Sequence, residues 1–256
     1  MIKQAFILIR RYLLKIFVPE FVWPKIVFLD KIPIHVRNMN YSFGVKKILS
    51  NGTYEFAERY LLSCIKIEGF NIIEIGCSIG ILTQILAFRV GEYGRVIAVE
   101  ADFKLAAQTK RDLAHLHNVQ IISGYGFPVK SIRDRINIEK FENSKGSLGG
   151  TVEFALDKPN MGKQNNNKNI FDLEKICREY DITPQMLVID IEGSENVILE
   201  CDDPFPETVK YILIELHPDL YYNTTEDKIV NSITNNGFSI LNKKDNSYIF
   251  SKTILI

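Results

Sequence analysis

The chain has 256 residues, with 31 basic and 31 acidic side chains, so its formal charge is zero. At 46% hydrophobic and 24% charged it has ordinary globular composition, which excludes a disordered or fibrous chain. The balanced charge offers no electrostatic footprint for nucleic-acid binding, so a nucleic-acid partner is not expected.

The first forty residues depart from that balance, with seven Lys/Arg against two Asp/Glu. Met1–Val18 has helical spacing, with Ile2, Phe6, Ile9, Leu13 and Phe17 on one half of the wheel and Lys3, Arg10, Arg11 and Lys15 on the other. The charges leave no run of the ~20 apolar residues that a spanning helix needs. Such a helix suits either an anionic membrane surface or packing on its own domain or a second subunit. Pro19 and Pro24 end it, and Ile26–Val36 reads as irregular extended chain. Residues 1–50 are therefore expected as an N-terminal helical extension and 51–256 as the main domain.

Four cysteines without a C-x-x-C pair fit a reducing, cytoplasmic setting, with peripheral contact at the inner membrane surface as an option. The four histidines complete no zinc pattern.

From residue 53 onward the pattern is regular. Thr53 is placed to cap a helix over Tyr54–Ile67. Short apolar runs then read as buried strands over Asn71–Ile75, Arg95–Glu100, Val119–Ser123, Met186–Ile191 and Val209–Leu216. Helical patterns lie between them at Ile81–Val90, Phe103–His117, Ser194–Glu200 and Glu226–Asn235. Phe238–Leu241 and Tyr248–Leu255, around an Asn242–Asn246 turn, read as a closing hairpin. This alternation specifies an α/β fold with a doubly wound, mostly parallel Rossmann-like sheet and an antiparallel C-terminal hairpin.

One crossover is too long for a plain strand–helix–strand unit. An insertion over about 139–170 accounts for it. Asn143–Gly150 is rich in Gly and Ser, Thr151–Leu156 has strand character and Lys163–Asn169 is an Asn tract, before helical Phe171–Tyr180. Such an insertion is either a disordered loop or a cap beside the ligand crevice.

The strongest chemical signal is Glu74-Ile-Gly76-Cys77-Ser78-Ile-Gly80 at the first strand-to-helix turn. Ser78 stands where a dinucleotide fingerprint needs glycine, and the Gly-Lys-Ser/Thr of a phosphate loop is absent. What remains, E-x-G-x-x-x-G, is the pattern for S-adenosyl-L-methionine, whose ammonium and sulfonium groups suit a carboxylate that a phosphate would repel. Glu100 ends the second strand, where a carboxylate accepts both ribose hydroxyls. Ala101, Asp102 and the glycine-rich loop of Gly124 border the adenine position.

The later strands carry Ile189-Asp190-Ile-Glu192-Gly193-Ser-Glu195 and Ile214-Glu215-Leu-His217-Pro218. Together with Gly52-Thr-Tyr54-Glu55 and Phe171-Asp172-Leu173, these resemble the FkbM-like family of S-adenosylmethionine-dependent methyltransferases. The resemblance implies a class I methyltransferase fold and O-methylation of a sugar, glycan or natural-product hydroxyl. On that reading Asp190 is the first candidate base and also borders the cofactor, with Glu192 and His217 as second candidates. The alternatives are a protein or nucleic-acid methyltransferase and an inactive binding module. No metal is expected, Mg²⁺ on Asp190, Glu192 and Glu215 being the lesser alternative.

Overall fold

The computed structural model describes residues 26–36, 43–131, 170–221 and 224–253. The elements expected at Met1–Val18, Thr151–Leu156 and the two flanking low-complexity stretches lie outside the described residues. The chain divides into two compact units, Met1–Phe56 and Ala57–Ile256.

The first unit holds a hairpin of β1 (Ile26–Leu29) and β2 (Ile32–His35), then α1 (Phe43–Ser50). The irregular chain expected over Ile26–Val36 is thus corrected. Asp30 and Lys31 form a two-residue turn with φ of 50° and 69°, the left-handed geometry that matches strand twist. Lys31 hides that turn from a sequence reading, because Asn or Gly normally marks it.

The second unit is built on a seven-stranded sheet. Its strands are β3 (Asn71–Ile75), β4 (Arg95–Glu100), β5 (Val119–Ser123), β8 (Met186–Ile189), β9 (Tyr211–Glu215), β10 (Phe238–Lys244) and β11 (Ser247–Lys252). Two short strands, β6 (Tyr125–Gly126) and β7 (Ile170–Phe171), pair apart from it. The order β10-β11-β9-β8-β3-β4-β5 keeps β3, β4, β5, β8 and β9 parallel and sets β11 antiparallel against β9. This is the class I methyltransferase architecture, with the expected terminal hairpin.

The two faces of the sheet bury alternate residues. Ile73, Ile75, Ile97, Val99, Leu187 and Ile189 point into one core, and Ile72, Val96, Met186, Val188 and Leu213 into the other. Near-continuous burial is why these strands read as apolar runs, each fully buried Ile or Leu contributing roughly 2 kcal/mol.

The helices are α2 (Phe56–Leu62), α3 (Ile81–Val90), α4 (Phe103–Asp112), α5 (Leu173–Tyr180) and α6 (Glu226–Asn235). Asp102 caps α4 by accepting from the Lys104 and Leu105 amides, and Asp172 caps α5 through Lys175 N–H. The expected α-helix at Ser194–Glu200 is a 3₁₀ turn over Glu195–Glu200, and α4 stops five residues before His117.

β3 sits centrally. The chain runs outward from it through β4 and β5, then returns to β8 on its other side. Ligands bind in the crevice opened by such a reversal, beyond the carboxyl ends of the strands.

Candidate functional site

The turn leaving β3 is held from both sides. Gly76 N–H and Cys77 N–H donate to the Val99 carbonyl, and Asp190 N–H donates to the Ile75 carbonyl. Gly76 has φ 87°, and a β-carbon there would lie 1.7 Å from the Asp190 carbonyl oxygen. Its smallness therefore serves the approach of β8 as well as the turn. Gly80, φ 73°, is required by packing, because a β-carbon would press on Thr109 and Leu113 of the neighbouring helix and loop.

A crevice opens beside this turn, walled by Gly76, Ser78, Glu100, Ala101, Asp190 and Glu192, with Ile75, Val99, Leu105, Tyr125 and Phe127 as its apolar side. Glu100 braces the wall. Its Oε2 accepts from Ser78 N–H at 2.8 Å and its Oε1 from Asp102 N–H at 2.8 Å. Burial raises its pKa above the ordinary carboxylate range. Ser78 and Glu192, with φ of 47° and 49°, are non-glycine residues of the crevice wall held in the left-handed region.

Several expected cofactor residues fall off that wall. Glu74 is buried on the far side of β3, where its Oε2 accepts from Thr83 Oγ1 at 2.7 Å. Even numbering sets it on the face opposite Ile73 and Ile75, so alternation along the strand turns it from the crevice. Burial pushes its pKa up to about 8. Cys77 is buried among Ala98, Ala106 and Leu113, and Asp102 is occupied as the α4 cap. Gly124 enters through its N–H, which donates to the Glu100 carbonyl. The glycine-rich loop presents Tyr125 and Phe127 to the crevice in its place.

Asp190 and Glu192 line the same crevice, and His217 lies beside both. His217 Nδ1 meets Glu195 Oε1 at 2.9 Å, while its Nε2 stands 3.6 Å from Asp190 Oδ1 and 3.7 Å from Glu192 Oε2. Burial and the neighbouring carboxylates raise the Asp190 pKa. Burial disfavours the charged His217 ring, but Glu195, Asp190 and Glu215 outweigh it and raise the His217 pKa. Glu215 is pushed up to about 7 by burial and then by Glu58.

Glu195 is the partner of His217 that a sequence reading does not identify. It lies 22 residues from His217 with no spacing signal, and the fold alone joins them.

The profile of the protein-L-isoaspartate(D-aspartate) O-methyltransferase family matches residues 38–138. This corrects the FkbM-like resemblance, because the family profile that matches is this other one. The match takes in the Gly76–Gly80 turn, Glu100 and the glycine-rich loop, and stops before Asp190. No curated protein matches the chain.

Solved structures that resemble it include Aeropyrum pernix fibrillarin with natively bound S-adenosyl-L-methionine, at 12% identity over 74% of this chain and 69% of that one, TM-score 0.43. An S-adenosylmethionine-dependent methyltransferase from Aquifex aeolicus shares 15% identity over 82% and 95%, TM-score 0.40. A protein-L-isoaspartate O-methyltransferase shares 27% identity over 27% of this chain and 22% of its own, TM-score 0.25. Among the described residues no helix is long and apolar enough to cross a membrane.

Proposed function

We propose that this chain is an S-adenosylmethionine-dependent methyltransferase whose acceptor is an oxygen on a protein side chain, a carboxyl oxygen first. The observation that carries the cofactor half is Glu100, a carboxylate at the carboxyl end of β4 beside the Gly76–Ser78 turn, on the wall of one crevice. Glu100 keeps lone pairs free after accepting two backbone N–H groups, as recognition of a ribose diol requires. Gly76 brings bare backbone to the crevice floor, and Leu105, Tyr125 and Phe127 offer an apolar surface for a base. Bound there, the cofactor supplies a methyl group activated by a sulfonium.

The match to the isoaspartyl methyltransferase profile supports a protein acceptor over a free sugar, although it covers less than half of the chain. Asp190 and Glu192 line the crevice and His217 lies beside both, which supports a role for the three in orienting the acceptor oxygen.

The test uses cofactor labelled in its methyl group, incubated with the purified chain and either a cell protein fraction, an isoaspartyl peptide, or a glycan and small-molecule fraction. Base-labile label in protein, released as methanol, is the expected result. Stable label in the glycan fraction defeats the protein acceptor, and failure to bind S-adenosylhomocysteine by calorimetry defeats the whole reading.

A further inference from the structure

The acceptor end of the crevice carries more negative groups than its hydrogen bonds can satisfy. Asp190 Oδ1 is shielded from solvent and accepts no hydrogen bond. Glu195 is wholly buried, and its Oε1 accepts from Gly193 N–H at 3.2 Å and faces His217 Nδ1 at 2.9 Å. A buried carboxylate oxygen left without a hydrogen bond is costly unless a cation meets it.

The geometry points to a divalent transition-metal ion of the Mn²⁺ or Zn²⁺ type, held by Asp190, Glu192 and His217. One ligand atom from each lies within 4.8 Å of the others. The two contacts of His217 Nε2, 3.6 and 3.7 Å, are too long for hydrogen bonds. They approach the ~3.0–3.4 Å that separates neighbouring ligands bound at about 2.1 Å to one ion.

Glu195 supports the assignment from outside the trio. By accepting a hydrogen bond from Nδ1–H it favours the tautomer that leaves a lone pair on Nε2, the arrangement of a carboxylate–histidine–metal triad. Glu192 is 64% exposed, which leaves an entry path for the ion. The donor set also decides between metals. An imidazole with two carboxylates suits Mn²⁺ or Zn²⁺, whereas Mg²⁺ favours oxygen donors and keeps most of its waters. The expected alternative of Mg²⁺ on Asp190, Glu192 and Glu215 is thereby revised in both ion and ligand, since His217 takes the place of Glu215.

This inference rests on the proposed methyl transfer and extends it. A carboxylate acceptor would be repelled by Asp190, Glu192 and Glu195. A divalent cation held by Asp190, Glu192 and His217 offsets most of that negative charge and offers the acceptor oxygen a Lewis acid.

The experiment titrates the chelator-stripped chain with Mn²⁺, following free Mn²⁺ by electron paramagnetic resonance, and with Zn²⁺ by calorimetry. One ion per chain is expected. His217→Ala and Asp190→Asn should abolish its retention, Glu195→Gln should weaken it about 10–100-fold, and His115→Ala should bind as the parent does. The exposed Glu192→Gln repeats the test with little demand on folding, and circular dichroism confirms that each variant is folded.

Binding of neither ion, or retention by His217→Ala at full strength, overturns the inference. The same stripped protein is titrated with S-adenosylhomocysteine. If that ligand binds and no metal does, the metal site is lost and the methyltransferase reading stands.

Discussion

The Asp190 carbonyl oxygen stands 1.7 Å from the point that a β-carbon on Gly76 would occupy. The Gly76 turn and the strand end at Asp190 are thus packed backbone to backbone. Gly76→Ala must push them apart and also hold alanine at φ 87°. A loss of about 3 kcal/mol is expected by urea unfolding. Gly69→Ala, at φ 74° with nothing within 4 Å, should lose about 1 kcal/mol, from the backbone alone. Equal losses at the two positions would remove the contact as the reason for Gly76.

The sheet was legible because its central strands β3, β4, β8 and β9 are buried on both faces. Asn71–Ile75, Arg95–Glu100 and Val119–Ser123 carry apolar runs that no surface strand needs, and the structure keeps those bounds. The β1–β2 turn was not, because Asp30-Lys31 lacks the usual glycine signal. At the site, Gly76 and Glu100 follow from strand-end position alone. Glu74 shows the limit of that reasoning. A motif gives position along a strand, while the pleat decides the face, and here it aims Glu74 at Thr83. The Glu195–His217 pair joins the 3₁₀ turn after β8 to the end of β9, a contact that only tertiary packing creates.

Glu100 holds two loops with one carboxylate, Ser78 N–H on Oε2 and Asp102 N–H on Oε1. In Glu100→Gln one of these oxygens becomes an amide nitrogen facing a donor. Charged hydrogen bonds of this kind contribute about 1.5–3 kcal/mol each. Calorimetry should therefore show S-adenosylhomocysteine affinity falling by at least about tenfold. Unchanged affinity would remove Glu100 from the cofactor wall.

Glu74 gives the stability a pH dependence of definite sign. Its folded pKa of about 8 lies above the unfolded carboxylate value of 4.5, so the folded state binds the extra proton between them. The stabilisation is complete below pH 4.5, declines as pH rises, and is gone above about 8. Glu74→Gln keeps an oxygen for Thr83 Oγ1 and has no proton to lose. Relative to this variant, the parent should lose up to about 1.4 kcal/mol per pH unit across that window, measured by urea unfolding at several pH values. Parallel curves would show that Glu74 is ionised in the folded protein.

Asp190 lines the crevice and also faces His217, so its role is separable by kinetics. Asn is nearly the same size and keeps the strand end in place, because the bond from Asp190 N–H to the Ile75 carbonyl is made by backbone. What Asn lacks is the charge, and with it the capacity to accept a proton or ligate a cation beside the acceptor. Removing such a group from methyl transfer should lower the rate at saturating cofactor and acceptor by about 100-fold or more. Binding of S-adenosylhomocysteine, measured by calorimetry, should be unchanged. The opposite pattern, weaker S-adenosylhomocysteine binding with the saturated rate preserved, would make Asp190 a wall of the cofactor site and move the acceptor chemistry to Glu192 and His217.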